Sequence, residues 1–69
     1  MDMPEDVEKF EQQYRQVRSV FIERGTSLNK WLIENGINRQ LAYRALRGRS
    51  FGRKAYGARL KILRAAGLA

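Results

Sequence analysis

Sixty-nine residues with no cysteine and no histidine make one small domain without disulfide staples or soft and imidazole ligands for a structural zinc, so helix packing must supply its stability. The longest apolar runs, Val20-Phe21-Ile22 and the small-residue tail around Ala65-Ala66, are far too short to span a bilayer. Fourteen Lys and Arg against seven Asp and Glu leave a net charge of +7, which points to an anionic partner.

Pro4 sits where it can open a helix, and Glu5, Asp6 and Glu8 complement the positive end of that helix's dipole. Val7, Phe10, Tyr14, Val17 and Phe21 then recur at spacings of three and four, an apolar stripe that predicts a helix over residues 4–24. Arg24-Gly25 closes it, the glycine supplying a left-handed residue. The stripe extends further toward the N-terminus than a compact helical core requires. It predicts a dimer seam, a flap on the last helix, or a frayed acidic end.

Thr26-Ser27 offers an N-cap, and Leu28, Trp31 and Leu32 form one face of a second helix over residues 27–35. Trp31 is expected in the core on that spacing. Asn35-Gly36 ends the helix, Ile37 plugs the corner, and Asn38 caps a third helix over residues 39–47 that Gly48 closes. A polar, basic loop follows. A fourth helix over residues 53–66 carries Ala55, Ala58, Ile62, Leu63 and Ala66 inward and stops at Gly67. Gly57 weakens that helix by about 1 kcal/mol relative to alanine, so fraying of its first turn is expected. No strand pattern, repeat or low-complexity tract interrupts this all-α, single-domain reading.

Charge divides the chain. Residues 1–35 hold all seven acids and five bases, a net of −2, whereas residues 36–69 hold nine bases and no acid, a net of +9. Solvated surfaces ordinarily mix signs. A 34-residue run without a carboxylate is the footprint of a polyanion, nucleic acid first, with anionic membrane or an acidic protein as alternatives. On a helical wheel of the third helix, Leu41, Ala42, Ala45 and Leu46 fall on one side. Arg39, Gln40, Tyr43, Arg44 and Arg47 fall on the other, within about 140°. An arginine fork takes guanine O6 and N7 together, and glutamine does the same for adenine N6 and N7. A solvated surface helix would also be polar there, but it would carry acids as well as bases.

A short helix, a Gly-containing turn, a second helix and a closing Gly resemble the helix-turn-helix of the lambda-repressor-like superfamily. Counted from Leu28, Gly36 falls on the turn glycine, Ile37 on the turn's apolar residue and Gly48 on the glycine after the recognition helix. More narrowly, Phe21 to Leu68 resembles the short regulators of Mu-like bacteriophages and prophages. The shared pattern is Glu23-Arg24-Gly25, Trp31, the run Leu41-Ala-Tyr-Arg-Ala-Leu-Arg-Gly-Arg-Ser50, Gly52-Arg53 and Gly67-Leu68. Two positions depart from the superfamily pattern. Leu32 stands where a small residue is usual, and Ala42 and Ala45 stand where larger aliphatics face it, a volume exchange across one contact. Leu28 replaces a glutamine that commonly contacts phosphate, so that contact is not carried over.

The resemblance implies a four-helix helix-turn-helix domain that binds double-stranded DNA, with residues 39–47 in the major groove. Arg39, Gln40, Tyr43 and Arg44 are then expected at the bases, with packing into the core the alternative for Tyr43. Arg47, Arg49, Ser50, Arg53 and Lys54 are expected on phosphates, joined across the groove by Ser27, Asn29 and Lys30. Phe51 is expected as satellite core, and Arg59, Lys61 and Arg64 as a solvated face. The implied protein is a cytoplasmic transcriptional regulator of bacterial or phage origin, a homodimer on DNA that needs no metal or cofactor. Two further readings are a DNA-architectural or recombination accessory protein, and an antitoxin-like module binding a protein through helix 4–24. The acids crowd into one helix with no partner constellation, which argues against an enzyme. The acidic first residues are unlike an export signal.

Overall fold

The computed structural model describes the backbone of residues 3–69 and the side chains from Glu8 onward. Four α-helices follow one another: α1 (Met3–Glu23), α2 (Leu28–Glu34), α3 (Arg39–Leu46) and α4 (Arg53–Ala65). Each boundary falls within about a residue of the expected one. The roles expected for Pro4, Glu5, Asp6 and Val7 fall outside the described side chains. None of these helices is long and apolar enough to cross a membrane.

The helices stop where they do because all four ends repeat one piece of hydrogen bonding. At the end of α1, Thr26 N–H donates to the Phe21 carbonyl at 3.0 Å and Gly25 N–H to that of Ile22 at 3.0 Å. Ile37 to Leu32, Arg49 to Arg44 and Leu68 to Leu63 close α2, α3 and α4 in the same way. This closure satisfies carbonyls that would otherwise be orphaned, and it requires a left-handed residue one step after the cap. At Gly36, φ is +66°, so the sharp turn between α2 and α3 costs little there. The starts are capped too. Ser27 Oγ accepts from Lys30 N–H at 3.1 Å, and Asn38 Oδ1 accepts from Leu41 N–H at 3.0 Å. Helix α4 has no side-chain cap at Gly52, yet it is helical from Arg53 through Gly57 without interruption.

Val17 and Phe21 of α1, Leu28 and Leu32 of α2, Ala42 and Leu46 of α3, and Ile62, Leu63 and Ala66 of α4 form one buried core. Leu32 and Ala42, the two sides of the expected volume exchange, are both fully buried in it. Trp31 is half-buried, tilted against the Phe21 ring with centroids 5.5 Å apart, and Ile37 packs on the core from the turn. Helix α4 packs most extensively on α3, with alanines 45, 55 and 58 all buried on the two helices. Small residues let helix axes approach closely.

Arg24 joins the two C-terminal ends. Its Nη1 donates to the Ala65 carbonyl at 2.7 Å, and its guanidinium lies 5.8 Å from the Phe21 ring centroid. A cation at the carbonyl end of α4 is favourably placed against that helix's dipole. Arg24→Ala is expected to cost about 1 kcal/mol, read as a lower urea midpoint with an unchanged slope. No change in the midpoint would mean that the contact contributes nothing in solution.

Candidate nucleic-acid interface

Helices α1 and α3 lie side by side and run in opposite directions, since Glu11 meets Arg47 while Tyr14 meets Tyr43. With α4 and α2 also against it, α3 has one free side. Arg39, Gln40 and Arg44 stand exposed on that side. Together with Asn29 of α2 and the half-buried Tyr43 they line a shallow, open depression. Arg39 Nη1 donates to Asn29 Oδ1 at 3.1 Å, a bond that orients one guanidinium and leaves its remaining N–H groups outward.

Tyr43 forms the seam of the depression. Its ring meets that of Tyr14 edge-on, centroids 6.0 Å apart at 82°, and it also packs on the core. Burial pushes the Tyr43 hydroxyl above its ordinary value near 10. Tyr14 pushes the same way, while the Arg18 and Arg39 charges oppose them. At neutral pH the group is a phenol with a proton to donate. Tyr43 therefore packs inward, one of the two readings left open for it, and also edges the depression.

The phosphate candidates divide by location. Arg49, Arg53 and Lys54 are exposed around the α3–α4 loop, and Lys30 is exposed on α2. Ser27 spends its acceptor on the α2 cap and retains its hydroxyl proton; Asn29 spends its carbonyl oxygen on Arg39 and retains its amide N–H groups. Ser50 is half-buried in a small crevice beside Phe51 and Tyr56. Arg47 differs from the freely projecting group expected. Its Nε donates to Glu11 Oε2 at 3.0 Å, and its guanidinium lies 5.5 Å from the Tyr14 ring centroid. An acid of α1 therefore faces the end of α3, which the carboxylate-free sequence of α3 itself could not reveal.

Two expectations need correction where the N-terminal half of α1 meets the α3–α4 corner. Phe10 reaches over Gly48, meets Phe51 edge-on with centroids 6.2 Å apart, and lies 5.1 Å from the Arg59 guanidinium. Arg59 is thus not part of a solvated face. It is half-buried, with Nη2 donating to Gln13 Oε1 and Nε without a partner among the described residues. Lys61 and Arg64 are exposed. Phe51, expected as satellite core, is 73% exposed, since its contact with the single Phe10 ring leaves most of it uncovered. Phe10 thus touches the last helix through Arg59, as a flap would, whereas Tyr14 packs on Tyr43 of α3.

No family model, curated protein or solved structure matches this chain. What the face can bind is decided by its own donors and charges. It offers two arginine forks and an amide on α3, bordered by cations on α2 and on the α3–α4 loop. Arg18 of α1, exposed and close enough to act on Tyr43, belongs to the same neighbourhood and escaped the sequence reading. Glu11, Tyr14 and Arg18 share one edge of α1 at i, i+3 and i+7, a signal that becomes informative only once α3 is known to lie beside that edge.

Proposed function

We propose that this chain is a sequence-specific double-stranded DNA-binding regulator of bacterial or phage origin, a helix-turn-helix of lambda-repressor-like type that inserts α3 into the major groove. The observation that carries this reading is the free side of α3, where Arg39, Gln40 and Arg44 are exposed together in a half of the chain that holds no acid. Its +9 charge attracts the duplex and releases condensed counterions on binding, the sequence-independent part of affinity. Arg49, Arg53, Lys54 and Lys30 neutralise backbone phosphates and fix register. Arg39 and Arg44 take guanine edges and Gln40 an adenine edge. Tyr43, held against Tyr14, meets sugar-phosphate or a thymine methyl at the groove wall.

A helix of eight residues reaches few base pairs, so the reading includes a homodimer on two half-sites about one helical turn apart. Occupying promoter DNA in this way regulates transcription without metal, cofactor or catalysis, in the bacterial cytoplasm.

Gln40→Ala and Arg44→Ala are each expected to cost about 1–3 kcal/mol at the preferred site and to relax preference at one base pair. Arg53→Ala is expected to weaken all duplexes alike and to make the salt dependence shallower by about one unit of slope. Competition binding of each variant against preferred and random duplex measures both effects. Equal losses from Arg44→Ala on the two duplexes would remove it from the bases.

One observation favours a second reading. Phe51 projects from a loop flanked by Arg49 and Arg53 and is 73% exposed, as an apolar wedge between base steps would be. On that reading the protein is an architectural or recombination accessory factor. Bending of bound duplex that is lost in Phe51→Ala, with little sequence preference, would favour it.

A further inference from the structure

We propose that the DNA surface extends beyond α2, α3 and their loops onto the long first helix, where Arg18, lying over the Tyr14 ring, holds a backbone phosphate at the α1–α3 seam. The inference rests on the DNA-binding reading above and names a contact that the resemblance did not supply.

The geometry begins with the two tyrosines. Tyr14 and Tyr43 pack edge to face across the seam, and Tyr43 also lines the depression with Arg39, Gln40 and Arg44. The Arg18 guanidinium lies 5.8 Å from the Tyr14 ring centroid, so it stands beside the reading face of α3. Arg47 approaches the same ring, at 5.5 Å, but is bound to Glu11. Among the described residues no carboxylate pairs with Arg18, and its side chain is exposed. A guanidinium resting on an aromatic ring is weakly hydrated, has lost part of its rotamer freedom, and keeps its N–H edge for an anion. The neighbouring Tyr43 hydroxyl, a phenol at neutral pH, adds a neutral donor. A phosphodiester accepts from both without a base being read, so this contact supplies affinity and orientation and leaves sequence preference to α3.

The same helix carries an internal control. Arg15 has the same charge and is also exposed, but it lies about 60° further round the helix, away from Tyr14, at the rim of a shallow groove formed with Gln12, Gln16, Ser19, Glu23 and Leu68. If the contribution of α1 were only its overall charge, Arg15 and Arg18 would be equivalent. If Arg18 occupies a phosphate site, they differ.

The experiment measures binding of the full chain to a short mixed-sequence duplex by fluorescence anisotropy, between about 50 and 300 mM salt. It compares wild type, Arg18→Gln, Arg15→Gln and Arg18→Lys. Arg18→Gln is expected to make the slope of log K against log salt shallower by about 0.9 and to weaken binding roughly fivefold at about 0.15 M salt. Arg18→Lys should keep most of the slope, and Arg15→Gln should leave it unchanged. Thermal melts check that the variants fold, which the exposure of both side chains favours. Equal slopes for the two glutamine variants would overturn the Arg18 site while leaving DNA binding by α3 and its loop intact. Failure of the wild-type protein to bind duplex at any of these salt concentrations would overturn both.

Discussion

Leu32→Ala is expected to destabilise the protein by about 2–5 kcal/mol. Leu32 of α2 is fully buried in the same core cluster as Ala42 of α3, equally buried. The small side chains on α3, Ala42 and Ala45, offer little that could swing into the space, so the cavity stays open and the surrounding core loses contacts as well as the transfer energy. A chain of 69 residues has roughly 3–10 kcal/mol of stability in all, so the variant should lie near or beyond its unfolding midpoint at ambient temperature. Urea titration followed by far-ultraviolet circular dichroism reads this directly. Leu32→Met, which nearly conserves volume, should cost less than about 1.5 kcal/mol. A loss below about 1 kcal/mol for Leu32→Ala would mean that α2 can settle onto α3, and that Leu32 does not set their spacing.

Gly48→Ala should destabilise by about 2–4 kcal/mol, by a different route. Its φ of +74° imposes left-handed strain of about 1–2 kcal/mol on any side chain. A β-carbon there would also stand 2.5–2.9 Å from three atoms of the Phe10 ring, an overlap that adds about 1–3 kcal/mol unless the ring moves. Phe10 is not free to move at no cost, since Phe51 and Arg59 pack against it. Gly36 provides the comparison, with φ of +66° and open space around the position of its β-carbon. Gly36→Ala should therefore show the strain alone. In a Phe10→Ala background, the cost of Gly48→Ala should fall to that of Gly36→Ala. If it does not fall, α1 does not lie on the α3–α4 corner in solution.

Gly48 also marks where the sequence stops being legible. That it ends a helix follows from local pattern: apolar periodicity until Leu46, then a glycine, as at Gly25, Gly36 and Gly67. Local rules of that kind act over a few residues, which is why the four helices and both side-chain caps could be placed from the chain alone. That Gly48 must also leave room for Phe10, 38 residues earlier, depends on how α1 lies across the domain, and helical periodicity carries no such information. The same gap explains Arg59 and Phe51. A wheel assigns Arg59 to the polar side of α4 correctly, but only the path of α1 makes that side half-buried. Phe51 reads as apolar and hence internal, yet a single neighbouring ring cannot cover it.

For the candidate site, the exposure of Arg39, Gln40 and Arg44 could be anticipated because it depends on α3's own periodicity. The capture of Arg47 by Glu11 and the approach of Arg18 to Tyr43 could not, because each needs the antiparallel pairing of α1 with α3. The absence of acids in residues 36–69 was likewise true of the sequence but incomplete for the surface, since α1 brings Glu11 to the end of α3.

The most direct test of the central claim is selection of the purified protein on a random duplex library at near-physiological salt, followed by sequencing of what is retained. DNA reading by α3 predicts enrichment of a motif with guanine and adenine positions, as an inverted repeat with half-sites about one helical turn apart. Recovery of unenriched duplex would contradict it. The positive half of the chain would then be a gripper of DNA backbones, and Arg39, Gln40 and Arg44 would not read bases.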